Sequence, residues 1–385
     1  MKIAIDVRTV LPNRSGVGNY VLNLIQNLRQ VDPGPTYYFL SQKKNLALLG
    51  HLAREQNPFL TLFSHENHPL SDFWEHFILP VRLKKMGIHV FHGPASLIPF
   101  RKDHYGLVVT IHDLVAFLFP ETIPLKYGAY MRYLLRQAVK KADKIIAVSY
   151  HTRQDLIKIL KVPSEKIRVI HEAASPIFRS HDKKEVQARI KEGYGITKKF
   201  IYHLGNIEPR KNLIVLLEAF IRVCRELGDE YQLVVSGQKG WLTRALSRYL
   251  KNYPMRDQIL FTGYVPMEHI PLFMNGAELF VFPSLYEGFG LPVLEAMSCG
   301  TPVISSNRSS IPEIVGSAGV LVDPTRIQDL ADRIVALLRN PEERMRLSRL
   351  GLERSARFSW EEAARKTLEV YRSVSSHSSS GPGQG

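Results

Sequence analysis

The stretch Leu279-Phe280-Val281-Phe282-Pro283-Ser284-Leu285-Tyr286-Glu287-Gly288-Phe289-Gly290-Leu291-Pro292-Val293-Leu294-Glu295-Ala296-Met297-Ser298-Cys299-Gly300 decides the fold. Its first four residues form a short apolar run of the kind that a strand buried on both faces requires. From Leu291 onward it reads as a helix, with Pro292 in the first turn, where a missing N–H costs nothing. Between the two, Gly288 and Gly290 permit a tight turn and close backbone approach. Strand, glycine turn and helix make up half of a βαβ unit, and such a turn lies at the edge where open α/β sheets take up ligands. The N–H groups of Phe289, Gly290 and Leu291, with the positive end of the helix behind them, can hold an anion. Glu287 before the helix and Glu295 inside it are strong acceptors that can straddle a hydroxyl-bearing ligand.

The same alternation runs along the chain twice. Strands are expected at Lys2 to Val7, Tyr37 to Leu40, Ile88 to Phe91, Leu107 to Ile111, Lys144 to Val148 and Ile167 to Ile170. A second set follows at Phe200 to Leu204, Gln232 to Ser236, Gln258 to Phe261, Leu279 to Phe282, Pro302 to Ser305 and Val320 to Val322, with helical stretches between. Short β-branched runs separated by amphipathic helices predict two parallel sheets. The expected organisation is an α/β domain over 1–175, a polar linker over 176–198 and a second α/β domain over 199–358. A helix over 359–372 is expected to pack back on the first domain, followed by a disordered Ser/Gly-rich tail over 373–385.

A chain of 385 residues has the length for two cores. No apolar run approaches the roughly 18 to 20 residues of a membrane-spanning helix. Met1 to Val10 reads as a first strand and not a signal peptide, since Asp6 interrupts it. Cys224 and Cys299 have neither metal-ligand spacing nor an evident disulfide partner, which fits a reducing cytoplasm. The net charge of +15 is uneven: residues 1–180 hold 24 Lys and Arg against 13 Asp and Glu, and residues 181–385 hold 27 against 23. A basic first half calls for a polyanionic neighbour. Nucleic acid is disfavoured, because zinc-finger spacing, an aromatic recognition stripe and a dense basic tract are all missing.

Further motifs fall at the ends of expected strands. Gly205-Asn206-Ile207-Glu208-Pro209-Arg210-Lys211-Asn212 follows the first strand of the second domain, where Arg210 or Lys211 can neutralise phosphate. Arg14-Ser15-Gly16-Val17-Gly18-Asn19-Tyr20 follows strand one and opens a helix. It lacks the Gly-x-Gly-x-x-Gly of a dinucleotide site. His112-Asp113 follows the strand ending at Ile111, and Gly263-Tyr264-Val265 follows the strand ending at Phe261.

Together these motifs resemble the retaining GT-B glycosyltransferases (glycosyl transferases group 1), a family that includes bacterial mannosyltransferases and sucrose synthase. The resemblance extends over nearly the whole chain. It implies two Rossmann-like domains facing across a cleft and a nucleotide-sugar substrate. It assigns catalytic roles to His112, Glu287 and Lys211: His112 hydrogen-bonds the donor sugar near its reacting carbon, and Glu287 contacts that sugar. Lys211 and Arg210 meet the donor diphosphate, Glu295 the ribose, and Gly263, Tyr264 and Val265 the base. Gly16, Gly18, Gly288, Phe289, Gly290 and Leu291 complete the donor side. Asn19, Tyr20 and Asp113 fall to the acceptor side. Many relatives carry Arg directly after the glycine at 205; this chain has Asn206, with Arg210 as the substitute.

The resemblance also implies transfer on one face of the sugar, with the departing diphosphate helping to deprotonate the acceptor. No Asp-x-Asp triplet is present, so no metal and no other cofactor is expected. The best single donor is GDP-mannose, with a UDP-sugar or a sugar-nucleotide epimerase as alternatives. The acceptor is a saccharide or a lipid-linked saccharide in cell-surface polysaccharide synthesis. Finally, Leu125 to Lys144 reads as an amphipathic helix whose Arg132, Arg136, Lys140 and Lys144 recur every four residues. That stripe predicts peripheral contact with an anionic membrane surface at the inner leaflet.

Overall fold

A computed structural model describes residues 1–11, 16–50, 57–61, 71, 73–102, 104–241 and 243–375, without the side chains of 57–59. Arg14 and Ser15, and the tail from 376 onward, lie outside the described residues. The chain divides into two compact units. One comprises Met1–Phe117, Gly128–Glu172 and the residues from Ser359 onward; the other comprises Leu118–Tyr127 and Ala173–Phe358.

In the first unit, β1 (Lys2–Asp6), β2 (Thr36–Gln42), β3 (Asn57–Thr61), β4 (Val90–Gly93), β5 (Gly106–Ile111), β6 (Lys144–Ala147) and β7 (Ile167–Val169) form a parallel sheet in the order β3-β2-β1-β4-β5-β6-β7. β1 pairs with β2 on one side and β4 on the other, so the strand order reverses between β1 and β4. The core holds Phe91, Leu107, Val109, Ile145 and Leu156. The helix Trp360–Ser375 belongs to this unit and packs on β5 and on the helix Gly16–Val31. A Cβ at Gly106 would stand 2.7 Å from Val374 Cγ2, so the absence of a side chain there lets the helix approach the strand.

In the second unit, β8 (Lys199–Leu204), β9 (Tyr231–Ser236), β10 (Ile259–Gly263), β11 (Leu279–Phe282), β12 (Val303–Ser306) and β13 (Val320–Val322) form a parallel sheet in the order β10-β9-β8-β11-β12-β13. Two apolar cores flank it: Leu217, Phe220, Val281 and Ile334 belong to one, Phe273, Phe280, Phe282 and Met297 to the other. Alternate residues of β11 thus enter opposite cores, which is why this strand is continuously apolar. Here the order reverses between β8 and β11.

Three expectations need correction. The segment 176–198 is not an open linker: Asp182 caps a helix, Lys183–Tyr194, by accepting from the N–H groups of Lys184 and Glu185. Val186 and Ile190 bury that helix in the second unit. The last helix continues through Ser375, past the expected start of the tail at 373. The basic helix spans Leu125–Lys141 and stops short of Lys144, which opens β6 and donates to the Glu165 carbonyl at 2.8 Å. Arg132 donates to the Ala116 carbonyl at 3.0 Å, and the Arg136 guanidinium lies 5.0 Å from the Phe117 ring centre. The stripe is therefore partly spent on internal contacts.

Candidate functional site

In the second unit the chain leaves β8 at Gly205, runs through a single turn of 3-10 helix, Pro209–Lys211, and enters the helix Leu213–Leu227. Asn212 takes a left-handed conformation (φ 59°) and donates to the carbonyls of Pro283 and Pro324, which ties this turn to the loop after β11. The chain leaves β11 at Pro283 and turns through Gly290 into the helix Leu291–Ser298. Gly290 has φ 109°, and a Cβ there would lie 2.7 Å from Ile311 Cδ1, so this position suits glycine on both counts. Both loops leave the carboxyl ends of adjacent strands where the strand order reverses, the place open α/β sheets use for ligands.

Lys211 and Glu287 meet there, with Lys211 Nζ donating to Glu287 Oε1 at 2.6 Å. Both side chains are buried. Arg210 approaches Glu287 Oε2 at 3.0 Å and also donates to the Tyr286 carbonyl and to Glu208 Oε1, each at 2.6 Å. Ser284 Oγ donates to Glu287 Oε1 at 2.6 Å. Burial alone would raise the Glu287 carboxyl, but the charges of Arg210 and Lys211 and the donated hydrogen bonds outweigh it and bring it down to about 2. Burial and then Arg210 lower the Lys211 ammonium, against the opposing pull of Glu287. The Lys211 nitrogen also stands 4.9 Å from the Phe282 ring centre. Arg210 and Lys211 thus both pair with Glu287 at the strand ends, and Arg210 also braces the loop through Tyr286 and Glu208.

Ser309 and Ser310, in the loop after β12, hold the glycine turn. Ser309 Oγ accepts from the Glu287 N–H at 2.9 Å, and Ser310 Oγ donates to the carbonyls of Glu287 and Phe289 at 2.9 and 2.6 Å. Gly288, Phe289 and Gly290 are buried in this turn and Leu291 is half-buried. Glu295 is buried one turn into the helix. Gly263 ends β10, and Tyr264 and Val265 follow it at the same edge, with Tyr264 exposed and Val265 packed in the core.

In the first unit, Gly16 is exposed at the start of the helix Gly16–Val31 and Gly18 is buried. Asn19 lies in the first turn, where its carbonyl accepts from Asn23 Nδ2 at 2.8 Å. Tyr20 is buried, and its hydroxyl bonds Thr110 Oγ1 at 3.1 Å inside the core. Asp113 Oδ1 accepts from the Val115 N–H at 3.0 Å, at the start of the short helix that follows. His112 directly follows β5, with Nδ1 3.0 Å from Glu172 Oε1 and Nε2 2.8 Å from the Pro94 carbonyl oxygen. Both ring nitrogens are engaged by the protein. The His112 carbonyl accepts from Thr152 Oγ1 at 3.3 Å.

The family description "Glycosyl transferases group 1" matches residues 186–354, and "Glycosyltransferase Family 4" matches residues 14–175. Over 390 aligned residues the chain is 30% identical to the O-antigen chain mannosyltransferase B of Escherichia coli, covering 97% of this chain and 100% of that protein. This chain is a group 1 glycosyltransferase. A second relative, the serotype-specific mannosyltransferase WbdA of Escherichia coli, is 32% identical over 286 residues, which is 72% of this chain and 34% of that longer protein. Among solved structures, Anabaena HepE in complex with UDP-glucose superposes with a TM-score of 0.75 at 18% identity, covering 97% of this chain and 100% of that one. Two parallel sheets, each flanked by helices, are the GT-B architecture.

Sequence reading missed several residues that hold the glycosyltransferase's candidate site residues in place. Ser309, Ser310 and Glu172 act on groups brought near only by the fold, whereas Glu208 and Ser284 lie two and three positions from the Arg210 and Glu287 side chains they bind but carry no pattern that singles them out. Asp6, Arg8 and Glu75 form a buried cluster at the end of β1, with Arg8 donating to Asp6 and, at 2.7 Å, to Glu75. Asp6 and Arg8 could have drawn notice by their place at the end of the first strand, whereas Glu75 comes from a distant helical segment. Among the described residues, no group of three His, Cys, Asp or Glu could hold a metal ion, and no helix is long and apolar enough to cross a membrane.

Proposed function

We propose that this glycosyltransferase moves mannose from GDP-mannose to a saccharide or lipid-linked saccharide acceptor in cell-surface polysaccharide synthesis, with retention at the anomeric carbon and without a metal ion. The observation that carries the reading is the Lys211 ammonium held beside Glu287, next to the loop that leads into the helix Leu291–Ser298. A fixed cation and a helix N-terminus both stabilise negative charge that grows on a departing diphosphate. The diphosphate leaves with the bonding electron pair, one of its oxygens takes the proton of the acceptor hydroxyl, and the new bond forms on the vacated face. Such a course needs no protein nucleophile. Mannose is favoured by the full-length similarity to an O-antigen chain mannosyltransferase. The test is a transfer assay with GDP-mannose and UDP-glucose in excess chelator. Turnover with GDP-mannose alone is expected; turnover confined to UDP-glucose, or abolished by chelator and restored by manganese, would overturn the donor or the metal assignment.

We further propose that the enzyme works at an anionic membrane surface, through a patch on the first unit. Phe73, Phe77 and Val81 are 56%, 54% and 47% exposed at helical spacing. Phe73 stacks on Phe77 with ring centres 5.1 Å apart. Phe77 and the exposed Tyr133 line a cavity of about 670 Å³ with Arg101, Lys102 and Lys141. Exposed aromatic rings bordered by cations suit the boundary between headgroups and acyl chains.

A further inference from the structure

The contacts of His112 fix more than its position. The Pro94 carbonyl oxygen can only accept, so Nε2 at 2.8 Å must carry a proton. Glu172, at 3.0 Å from Nδ1, is an acceptor when ionised. A neutral imidazole has one bare nitrogen, and either tautomer would set its lone pair against an oxygen lone pair. With Glu172 ionised, only the doubly protonated ring satisfies both neighbours.

We propose that Glu172 is a positioning residue that holds His112 as an imidazolium, so that His112 acts on the donor through a fixed positive charge and not through a free ring N–H. The proposal rests on the reading that His112 lies beside the donor. Glu172 arrives from the loop after β7 and is buried. Asp113, on the same loop as His112, adds negative charge. From β4, His92 is neutral, pushed down to about 3 by burial and then by the charge of His112. From the helix Gly16–Val31, the Tyr20 ring stands 4.8 Å from His112 at 86°, and burial keeps its phenol protonated. Burial disfavours the His112 charge, but the hydrogen bond and the charge of Glu172 outweigh it, and the ring titrates above 6.5. A positive charge whose protons are both committed stabilises the anionic donor without offering a proton to the leaving group.

Nitrogen-15 spectra of the full chain labelled in histidine, with the His112 resonances assigned by His112→Gln, test the first half without any donor. In the wild type both ring nitrogens should remain protonated at pH 6.5, with a midpoint above that value. Glu172→Gln keeps the shape and can donate its amide N–H to a neutral Nδ1, so the midpoint should fall below 6.5. Transfer from GDP-mannose tests the second half. At pH 7.5 Glu172→Gln should turn over at least about tenfold more slowly, consistent with the 10² to 10³ cost of losing one stabilising group, and should recover toward wild type at pH 5.5. A neutral His112 in the wild type at pH 6.5 would overturn the proposal, as would a shifted midpoint with an unshifted rate profile. Absence of wild-type transfer from GDP-mannose would instead sink the donor assignment and leave the spectra to decide the charge.

Discussion

Lys211 Nζ and Glu287 Oε1 lie 2.6 Å apart although 76 positions separate them in the sequence. The pair joins the loops after β8 and β11, so it links the site's electrostatics to the stability of the unit. Lys211→Ala should lower turnover by about 10² to 10³. It should also lower the melting temperature, because truncating one member of a buried pair costs about 3–5 kcal/mol. The loss should lie at or below the low end, since Arg210 and Ser284 still serve Glu287. A double-mutant cycle with Glu287→Gln should return a coupling of about 1–3 kcal/mol; additive effects would mean that the contact is not formed.

The same carboxylate sets an acid limit. Its folded value of about 2 lies below the ordinary 4.5, so its contribution to stability is fully present above 4.5 and is lost as the pH falls toward 2. Urea midpoints measured between pH 5 and 3 should fall in the wild type and fall less steeply in Glu287→Gln. Parallel slopes would show that Glu287 titrates alike in the folded and unfolded chain.

Two glycines should respond in opposite ways. Gly290→Ala must hold a side chain at φ 109° and press on Ile311, and should destabilise by about 1–3 kcal/mol. Gly16→Ala meets nothing within 4 Å and should melt at the wild-type temperature or above it. Differential scanning calorimetry distinguishes them, and equal melting temperatures for the two variants would contradict the geometry of the turn.

Membrane contact should depend on the rings. Replacing Phe73, Phe77 and Val81 together by Ser should abolish binding to phosphatidylserine vesicles, whereas Arg132→Gln with Arg136→Gln should weaken it little, because both arginines make contacts within the fold. Each remaining cation near the surface adds about 1 kcal/mol, so binding should weaken with salt. Equal sedimentation with neutral vesicles, or a stronger effect of the arginine pair, would count against the patch.

The strands that build the two ligand edges were legible because each is a short apolar run closed by a turn signal; β11 with its glycine loop is the clearest case. β3 was not, since Asn57 and Pro58 dilute its pattern. A proline is tolerated there because β3 stands at the edge of the sheet among the described residues, beside β2. The helix Lys183–Tyr194 looked like linker because most of it is charged or polar, with Val186 and Ile190 buried and Tyr194 packed on Phe273 at its end. Lys211, Glu287 and His112 could be located at strand ends from order alone, but their partners could not. Glu172 meets His112 across 60 positions, and nothing in the segment Val169-Ile170-His171-Glu172 marks it as a ring's counter-ion.

The return of the helix Trp360–Ser375 to the first unit has a consequence for how the protein is made. Tyr371 donates or accepts a 2.6 Å hydrogen bond at His92 Nδ1 in β4, and Trp360 lies against Tyr20 with ring centres 5.7 Å apart. The first unit to leave the ribosome therefore lacks part of its own interior until about 200 further residues have been added after Glu172. At a synthesis rate of about 5–20 residues per second, that wait is roughly 10–40 s. During it the sheet face around Gly106 is uncovered, and chaperone demand in the cell should track this nascent interval more closely than the stability of the finished enzyme.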